Sequence, residues 1–479
     1  MSESLIQQGV EIQGLATAIL LPSATLFSGE RVRTVGSAGP LTQVVGIGLF
    51  QRAVLTLQRA GIRQLIVLAG GEEEQLKQAL SRGPRVTIPV RWMPVREFPL
   101  DDPRTWEALA AEVHGCCLIA SITSVFSRPL IESIRRTSHS GEALLVAQPV
   151  DKEGCRPGYV PVSVRGERLL GFAAPSGEPV QCVASEMVVV PASVMQGREA
   201  RGLAGAAVPV RHWLERAAID GRARVLMTGR HPAEWYQDVR TEADVPLAER
   251  RLLSSLKGEF EGFVDRYFNR KLSRWFTRLF LGLGLSPNAI TMVATAVGLG
   301  AAAGFGLGTY GAGIAAALLF QLAAVIDCCD GEVARLTFTE SPFGAWLDIA
   351  MDNVVHMAIF GGIAVGAYQQ AAGEAHAWVP LTLGAGAILG NALSFWLVNR
   401  AQKVKAASRW RTPEHAAWAE FMLQNVASRD FSVVVLIFAV LGKLEWFLWM
   451  ASAGALVFAL LMVWVVRPSA ISRAEASGC

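Results

Sequence analysis

Residues 324–352 read AVIDCCDGEVARLTFTESPFGAWLDIAMD, and this stretch decides how the C-terminal half of the chain folds. It places four aspartates in or beside two apolar runs: Asp327 and Asp330 are three residues apart, and Asp348 and Asp352 are four apart. Residues at these spacings share one face of an α-helix, so each pair projects to one side of its helix. A carboxylate deep in an apolar span is unfavourable by about 3 kcal/mol or more. The four acids therefore need either protons or a cation.

A divalent cation of the hard class fits these acids best. Carboxylate oxygens suit Mg2+, Mn2+ or Ca2+, whereas Zn2+ normally takes His or Cys ligands. Cys328 and Cys329 lie among the acids but rotate onto other helix faces, so we do not count them as ligands. The alternative is a buried ion-pair cluster, yet Arg335 alone does not balance four acids. The stretch predicts a metal site at the adjoining ends of two consecutive helices.

The composition divides the chain into a charged half typical of a water-soluble domain and an apolar half typical of a membrane domain. The 479 residues are 52% hydrophobic and 18% charged, with a mean hydropathy of +0.34, whereas soluble proteins have about 25% charged residues. Most of the charge lies before residue 256. Six apolar stretches follow: Ala289–Leu307, Ala312–Ile326, Ala345–Tyr368, Val379–Val398, Phe431–Leu441 and Trp446–Val466.

A membrane-spanning helix needs about 20 apolar residues, so we predict an all-α six-helix transmembrane domain over residues 287–479. The alternative for the last two stretches is one long span or a buried soluble helix, since only residues 442–445 separate them. Lys and Arg concentrate before the first span and after the second, fourth and sixth, and the loops on the other side contain only Lys443. The positive-inside rule then predicts a multi-pass protein of the inner (cytoplasmic) membrane, with both termini cytoplasmic.

The segment 256–286 predicts an interfacial amphipathic helix before the first span. Its arginines recur every four residues, at Arg266, Arg270, Arg274 and Arg278. Such a helix lies in the interface and is attracted to anionic headgroups. The formal net charge of the whole chain is only +3, which indicates no nucleic-acid partner.

Residues 327–352 resemble, without a gap or substitution, the signature of the CDP-alcohol phosphotransferases, also called CDP-alcohol phosphatidyltransferases. The matching positions are Asp327, Asp330, Gly331, Ala334, Arg335, Gly344, Asp348 and Asp352. Residues 265–278 and 286–291 resemble a subgroup in which this domain is fused to a cytidylyltransferase domain. The members of this subgroup are the bifunctional inositol-phosphate cytidylyltransferase and di-myo-inositol phosphate phosphate synthases. Phosphatidylinositol-phosphate synthases are relatives of this subgroup.

The resemblance implies a two-metal site, holding Mg2+ or Mn2+, at the cytoplasmic membrane face. In that site Asp327, Asp330 and Asp348 would hold the metals. Asp352 would contribute to the metal site and take the proton from the acceptor hydroxyl. The residues that would surround the cytidine diphosphate are Gly331, Ala334, Arg335 and Gly344.

The implied partners are a CDP-alcohol donor, either CDP-diacylglycerol or a CDP-polyol, and an alcohol acceptor such as inositol phosphate. The lipid bilayer and a second copy of the chain, as a homodimer, are also expected. Arg400, Lys403 and Arg429 are candidate contacts to an acceptor phosphate. Their other interpretation is charge that only sets the topology.

Residues 1–255 alternate predicted strands and helices, which favours an α/β domain with a mostly parallel sheet. This half resembles the GT-A-like sugar-phosphate nucleotidyltransferases at residues 39–62 and in the tail 235–249. Against that family's pattern, Gly39 stands in place of the phosphate lysine, Thr123 in place of a metal-binding aspartate and Arg240 in place of a tail aspartate. Without acidic ligands and the lysine the catalytic electrostatics fail, so we predict that this half is inactive as a cytidylyltransferase.

The leading functional interpretation is a membrane transferase of phospholipid or polyol-phosphodiester biosynthesis that moves a substituted phosphate group and releases CMP. The enzyme alternative is a bifunctional protein whose first half still makes the CDP-alcohol from CTP. The other alternative is a divalent-cation transporter or sensor, because intramembrane carboxylates can line ion paths. Asp and Glu are absent from the interiors of the first, fourth and sixth stretches, which argues against transport.

Overall fold

The computed structural model describes residues 15–22, 25–27, 36–83, 86–122, 124–138, 141–150, 159–172, 180–195, 209–256, 270–406 and 431–466. The chain separates into two compact units, Met1–Ser255 and Leu256–Cys479. Three positions from the sequence analysis lie outside the described residues: Thr123, Arg266 and Arg429.

The N-terminal unit is a β-sheet flanked by helices. Its described strands, β1 to β13 in chain order, are Thr17–Leu21, Gln43–Val44, Ile47–Gly48, Gln64–Ala69, Val90–Pro94, Cys116–Ser121, Ser124–Phe126, Ala143–Pro149, Pro161–Arg165, Arg168–Gly171, Cys182–Pro191, Ala223–Met227 and Tyr236–Asp238. Its described α-helices, α1 to α7, are Leu49–Arg59, Glu73–Arg82, Pro103–Glu112, Arg128–Thr137, Ala192–Met195, Val210–Ile219 and Val245–Ser255. A 3-10 turn covers Glu242–Asp244.

The main sheet has the order β5-β4-β1-β6-β11-β8-β12-β10-β9 in the described part of the unit. Strands β5, β4, β1 and β6 are parallel neighbours and alternate with helices, as the sequence predicted. The central strands β1, β6 and β11 are buried along their whole length. This explains their continuous apolar runs, since a strand covered on both faces does not alternate polar and apolar residues.

The second half of the unit departs from the predicted mostly parallel sheet, although β8 and β12 are parallel there. Strand β11 runs antiparallel to both β6 and β8, and β9 and β10 form an antiparallel hairpin. The hairpin forms because Gly166, at φ +63°, makes the tight connection between paired Arg165 and Arg168. A short turn joins antiparallel strands, whereas parallel strands need a long crossover.

The C-terminal unit is helical in all of its described part. Its helices, α8 to α14, are Arg270–Gly282, Pro287–Gly306, Tyr310–Thr337, Pro342–Gln370, Val379–Ala406, Phe431–Val440 and Leu444–Val465. Each of the six apolar stretches forms a helix. Helices α9 to α12 and α14 are long and apolar enough to cross a membrane, and α13 is a shorter apolar helix of 10 residues. Gly442, at φ +63°, follows α13 and separates it from α14, so the last two stretches are not one continuous helix.

Local sequence sets the helix ends that frame the predicted site. The Ser286 side chain accepts a hydrogen bond from the Ala289 amide at 3.3 Å, and Pro287 opens α9. At the end of α10, Phe338 adopts a left-handed conformation with φ +59°. Ser341 then caps α11 by accepting from the Gly344 amide at 2.9 Å. This short turn brings the C-terminal end of α10 close to the N-terminal end of α11.

Small residues allow α9 and α11 to pack closely. A Cβ added at Gly362 would overlap the carbonyl oxygen of Ala302, and one added at Gly366 would overlap that of Phe305. Two glycines four residues apart therefore give α11 a flat stripe against the backbone of α9. In membranes such stripes replace the hydrophobic effect as the source of helix association, because lipid is as apolar as the helix surface.

We expect Gly362→Ala to lower the thermal midpoint of unfolding in detergent micelles. Alanine has a helix propensity about 1 kcal/mol better than glycine, so a loss of stability must come from the overlap with α9, which costs about 1–3 kcal/mol. Gly454→Ala in α14 is the matched control, since a Cβ there meets no atom within 4 Å. Equal shifts for the two variants would contradict the close contact.

Candidate metal centre

Three of the four predicted carboxylates converge. Asp327 and Asp330, near the end of α10, and Asp348, near the start of α11, each offer an oxygen, and these oxygens all lie within 4.8 Å of one another. Asp330 is buried, and the other two are half-buried. The i, i+3 spacing in α10 and the tight turn at Phe338 are the local features that produce this convergence.

The chemistry of this group fits a hard divalent cation. All three donors are carboxylates, which suit Mg2+ or Mn2+ better than Zn2+. The neighbouring thiol of Cys329 is directed elsewhere, towards the carbonyl oxygens of Val325 at 3.3 Å and Ser273 at 3.5 Å. Cys329 therefore belongs to the packing between α8 and α10.

Thr291 of α9 orients the most buried of the three acids. Its hydroxyl donates to Oδ2 of Asp330 at 2.5 Å, and the Gly331 amide donates to Oδ1 of the same carboxylate. Thr291 is itself 3% exposed. Partners of this kind fix the direction of a metal ligand and often matter almost as much as the ligand. Sequence reasoning included Thr291 in a resemblance but gave it no role.

Asp352 does not join the group of three. Its side chain is 53% exposed, and its Oδ1 lies 3.8 Å from Nε2 of His356, one turn further along α11. The His356 ring packs edge-on against Phe320 and Phe431, with centroid separations of 6.1 and 4.8 Å. The sequence contained the signal for this pair in the i, i+4 spacing of Asp352 and His356, but the sequence analysis did not use it.

The two signature glycines keep space for polar neighbours. A Cβ on Gly331 would lie 3.3 Å from a guanidinium nitrogen of Arg335, and a Cβ on Gly344 would lie 3.2 Å from Oδ1 of Asn288. Arg335 is exposed, and Ala334 beside it is buried. Because these positions have no Cβ, the guanidinium of Arg335 and the amide of Asn288 can lie close to the helix backbones.

The candidate acceptor-phosphate residues are not brought to the acids by any described contact. Arg400 places its guanidinium over the ring of Trp396 on its own helix, 5.7 Å from the centroid. Lys403 is exposed, and Arg429 lies outside the described residues. Their role in binding a phosphate stays a prediction.

Glu332, which lies between Gly331 and Ala334 in α10, links α10 to α8 by hydrogen bonds. It is 7% exposed and accepts hydrogen bonds from the hydroxyls of Ser273 at 3.1 Å and Thr277 at 2.6 Å, both fully buried. The other side of α8 carries three exposed apolar side chains, Leu272, Trp275 and Leu279. The amphipathic helix therefore has one polar, hydrogen-bonded face against α10 and a separate apolar stripe.

In the N-terminal unit, Arg240 is held among buried acids. Its guanidinium contacts Asp238 at 3.1 Å and Glu186 at 3.5 Å, and these carboxylates are 3% and 2% exposed. The ring of Tyr159 lies 4.2 Å from the guanidinium. Burial raises the pKa of the Asp238 carboxyl, and the Arg240 charge opposes that rise. Glu186 also accepts from the Leu26 amide at 2.6 Å, which ties the segment after β1 to β11.

Residues 285–467 match the family model described as CDP-alcohol phosphatidyltransferase. The helical unit is a CDP-alcohol phosphatidyltransferase domain. This confirms the resemblance carried by the Asp, Gly and Arg signature, and it makes the chain an enzyme that uses a CDP-alcohol donor and an alcohol acceptor. CDP-alcohol phosphatidyltransferases generally use divalent metals, which agrees with the three converging carboxylates. The five helices of spanning length agree with a membrane protein.

Curated relatives extend the similarity beyond this domain. The bifunctional IPC transferase and DIPP synthase of Rubrobacter xylanophilus is 29% identical over 360 residues, 74% of this chain and 78% of that protein. An alignment of that length is longer than either unit, so it includes parts of both. The phosphatidylinositol phosphate synthase of Mycobacterium marinum is 32% identical over 102 residues, 21% of this chain and 42% of that protein. A solved structure, the inositol-1-phosphate CTP transferase from T. maritima, aligns at 15% identity and a TM-score of 0.40, covering 51% of this chain and 97% of that one.

We expect Thr291→Val to weaken metal binding about 10-fold or more, measured as the Mn2+ dissociation constant of the full-length protein by electron paramagnetic resonance. The substitution removes the hydroxyl that orients Asp330, and a hydrogen bond to a charged group contributes about 1.5–3 kcal/mol. Thr295→Val is the control, because the Thr295 hydroxyl donates to the Thr291 carbonyl at 2.8 Å rather than to a carboxylate. The same dissociation constant for both variants would remove Thr291 from the site.

Proposed function

We propose that this chain transfers a substituted phosphate group from a CDP-alcohol to a phosphorylated polyol, such as inositol phosphate, at the inner membrane. The observation that carries the proposal is the convergence of three carboxylates at the adjoining ends of two spanning helices. The polyol acceptor is supported by relatives named as DIPP synthase and phosphatidylinositol phosphate synthase. Either CDP-diacylglycerol or a CDP-polyol is compatible with the site as donor.

In this proposal Asp327, Asp330 and Asp348 hold Mg2+ or Mn2+ as a two-metal site. When bound, the divalent ions neutralise the diphosphate and stabilise CMP as the leaving group. The residues that we place around the cytidine diphosphate are Gly331, Ala334, Arg335 and Gly344. Arg335 is suited to this position because its guanidinium lies close above Gly331 and presents a planar set of donors to phosphate oxygens.

Asp352 is the proposed general base. Its exposed carboxylate lies outside the group of three and is therefore available to take the proton from the acceptor hydroxyl. The acceptor oxygen then forms a bond to the phosphorus that carries the donor alcohol, and the bond from that phosphorus to CMP breaks. In the same proposal Asp352 also contributes to the metal site, but less than the three converging carboxylates. Arg400, Lys403 and Arg429 remain the candidates for binding the acceptor phosphate.

The same proposal assigns the parts of the chain. Residues 1–255 form a cytosolic nucleotidyltransferase-like domain, residues 256–286 an interfacial helix on the bilayer and residues 287–479 the transmembrane domain. The exposed Trp275 and Arg278 and the half-buried Arg274 support contact with lipid headgroups. Both termini face the cytoplasm in this topology, and the active form is a homodimer.

We expect Asp352→Asn to lower kcat for CMP release by about 100-fold or more, since general bases contribute about 100- to 10,000-fold. Mn2+ binding by the same variant changes much less than in Asp348→Asn, because Asp348 belongs to the converging carboxylates. Glu374→Gln, at an exposed acid after α11, is the control for loss of one charge. If the wild-type protein releases no CMP from any CDP-alcohol with Mg2+ or Mn2+, the proposed function is wrong.

The N-terminal unit is proposed to be inactive as a cytidylyltransferase. The supporting observation is that Arg240 places a fixed positive charge between Glu186 and Asp238, where two buried acids could otherwise attract a metal ion. The unit then serves as a scaffold or a sensor for the membrane domain.

Full-length protein carrying Asp348→Asn, which blocks the transferase, tests this second part. We expect no pyrophosphate above background from CTP and inositol 1-phosphate in the presence of Mg2+, because the site lacks the electrostatics for nucleotidyl transfer. Pyrophosphate release is measured by a coupled phosphate assay, with an active cytidylyltransferase as the positive control. Release at a comparable rate would support the bifunctional alternative.

A further inference from the structure

Two asparagines form an amide pair inside the helical unit that the proposed chemistry does not use. Asn353 is on α11 and Asn391 is on α12, and Nδ2 of Asn391 donates to Oδ1 of Asn353 at 3.2 Å. Asn353 also donates from its own Nδ2 to the carbonyl oxygen of Ile349 at 2.7 Å. Both helices are of spanning length, and both side chains are half-buried.

The pair has more hydrogen-bonding capacity than its neighbours use. Each amide has two N–H donors and a carbonyl that accepts two hydrogen bonds. Among the described residues, the bond to Asn353 is the one hydrogen bond of the Asn391 side chain, which leaves its Oδ1 and one N–H for another group. Within a spanning helix, unfilled polar groups are unfavourable unless they face a cavity or a ligand. The amide pair therefore indicates a polar ligand or a wet cavity between α11 and α12.

The position of the pair connects it to the proposed base. Asn353 directly follows Asp352, whose carboxylate is 53% exposed, so Asn353 and the base belong to the same turn of α11. Asn391 reaches this turn from α12 through its hydrogen bond to Asn353. Close helix contact fixes the partner helix, since a Cβ added at Gly384 of α12 would overlap the side chain of Ala364. Asn391 is two turns further along α12 than this contact and is held to α11 by it.

An amide pair suits hydroxyl groups better than other ligands. A hydroxyl donates one hydrogen bond and accepts others, which matches an amide that presents both an N–H and a carbonyl. A phosphate accepts only and is bound more effectively by Arg or Lys. A lipid tail makes no hydrogen bonds. The ring hydroxyls of a polyol, next to the hydroxyl that loses its proton to Asp352, meet these requirements.

We propose that Asn353 and Asn391 bind the non-reacting hydroxyls of the polyol acceptor and so determine acceptor specificity. This inference rests on the proposed function, because it needs an alcohol acceptor beside Asp352. A purely structural bridge between α11 and α12 is the competing explanation, since polar side chains also join helices in membranes. That explanation predicts no change in the choice between acceptors.

The test compares Asn391→Leu with Asn399→Leu in the full-length protein in lipid–detergent micelles. Asn399 is the matched control, because it is on the same helix and donates from Nδ2 to the carbonyl of Phe395, one turn back, at 2.9 Å. CMP release is measured with inositol 1-phosphate and with glycerol 3-phosphate, using whichever of CDP-diacylglycerol or CDP-inositol supports wild-type activity. The measured quantity is the ratio of kcat/KM for the two acceptors.

We expect wild-type protein to prefer inositol 1-phosphate and Asn391→Leu to reduce that preference about 10-fold or more, because a site built to bind hydroxyls discriminates strongly by them. The KM for the acceptor rises, the KM for the donor stays within about 2-fold, and Asn399→Leu keeps the wild-type ratio. If Asn391→Leu does not fold, Asn391→Ala and Asn391→Gln take its place.

Equal losses with both acceptors, or a wild-type enzyme without preference for inositol 1-phosphate, would overturn the specificity role while leaving the transferase intact. Absence of CMP release from the wild-type protein with either donor and either acceptor would instead remove the proposed function itself.

Discussion

The repulsion among three carboxylates is the constraint on which the helical unit depends. Two unit charges about 4 Å apart interact by about 4 kcal/mol at an effective dielectric constant of about 20. The oxygens of Asp327, Asp330 and Asp348 lie within 4.8 Å of one another. If all three carboxylates are ionised, each pair of them repels by an energy of this order. A whole domain is stable by only about 5–15 kcal/mol. A divalent cation would offset this repulsion, and CDP-alcohol phosphatidyltransferases generally use divalent metals.

The surrounding helices are arranged to keep that group of acids in place. The Thr291 hydroxyl of α9 donates a hydrogen bond to Asp330, and Glu332 of α10 accepts hydrogen bonds from two hydroxyls of α8. The close contact of Gly362 with Ala302 fixes α11, which carries Asp348, against α9. These contacts join α10 to α8 and α9, and α11 to α9, so three helix contacts determine the position of the acids. Such fixed geometry is what lets a site stabilise charge that changes during a reaction without reorganising.

The sequence predicted the parts of this site that follow from helix periodicity and missed the parts that depend on contacts between helices. The i, i+3 spacing of Asp327 and Asp330 was enough to place both on one face, but the same reasoning grouped Asp352 with them, and it lies outside the three. The roles of Thr291 and Glu332 require knowledge of which helix faces meet. In the N-terminal unit, strand–helix alternation predicted β1, β4, β5 and β6 correctly. It also predicted a strand at Met187–Val190, within β11, but not its antiparallel position between β6 and β8, which depends on long-range pairing.

The two units differ in the surroundings of their clustered acidic side chains, and this difference indicates which unit can bind a metal ion. Glu186 and Asp238 are almost fully buried and share the guanidinium of Arg240, a cation that cannot leave and cannot be exchanged. The acids of α10 and α11 instead meet one another, with Asp327 and Asp348 half-buried and within reach of solvent. In the proposed function a metal ion binds the second arrangement, and the fixed charge of Arg240 opposes its binding to the first. Catalysis that needs an exchangeable cation is therefore expected in the helical unit, whereas the buried acids of the α/β unit already share a fixed cation.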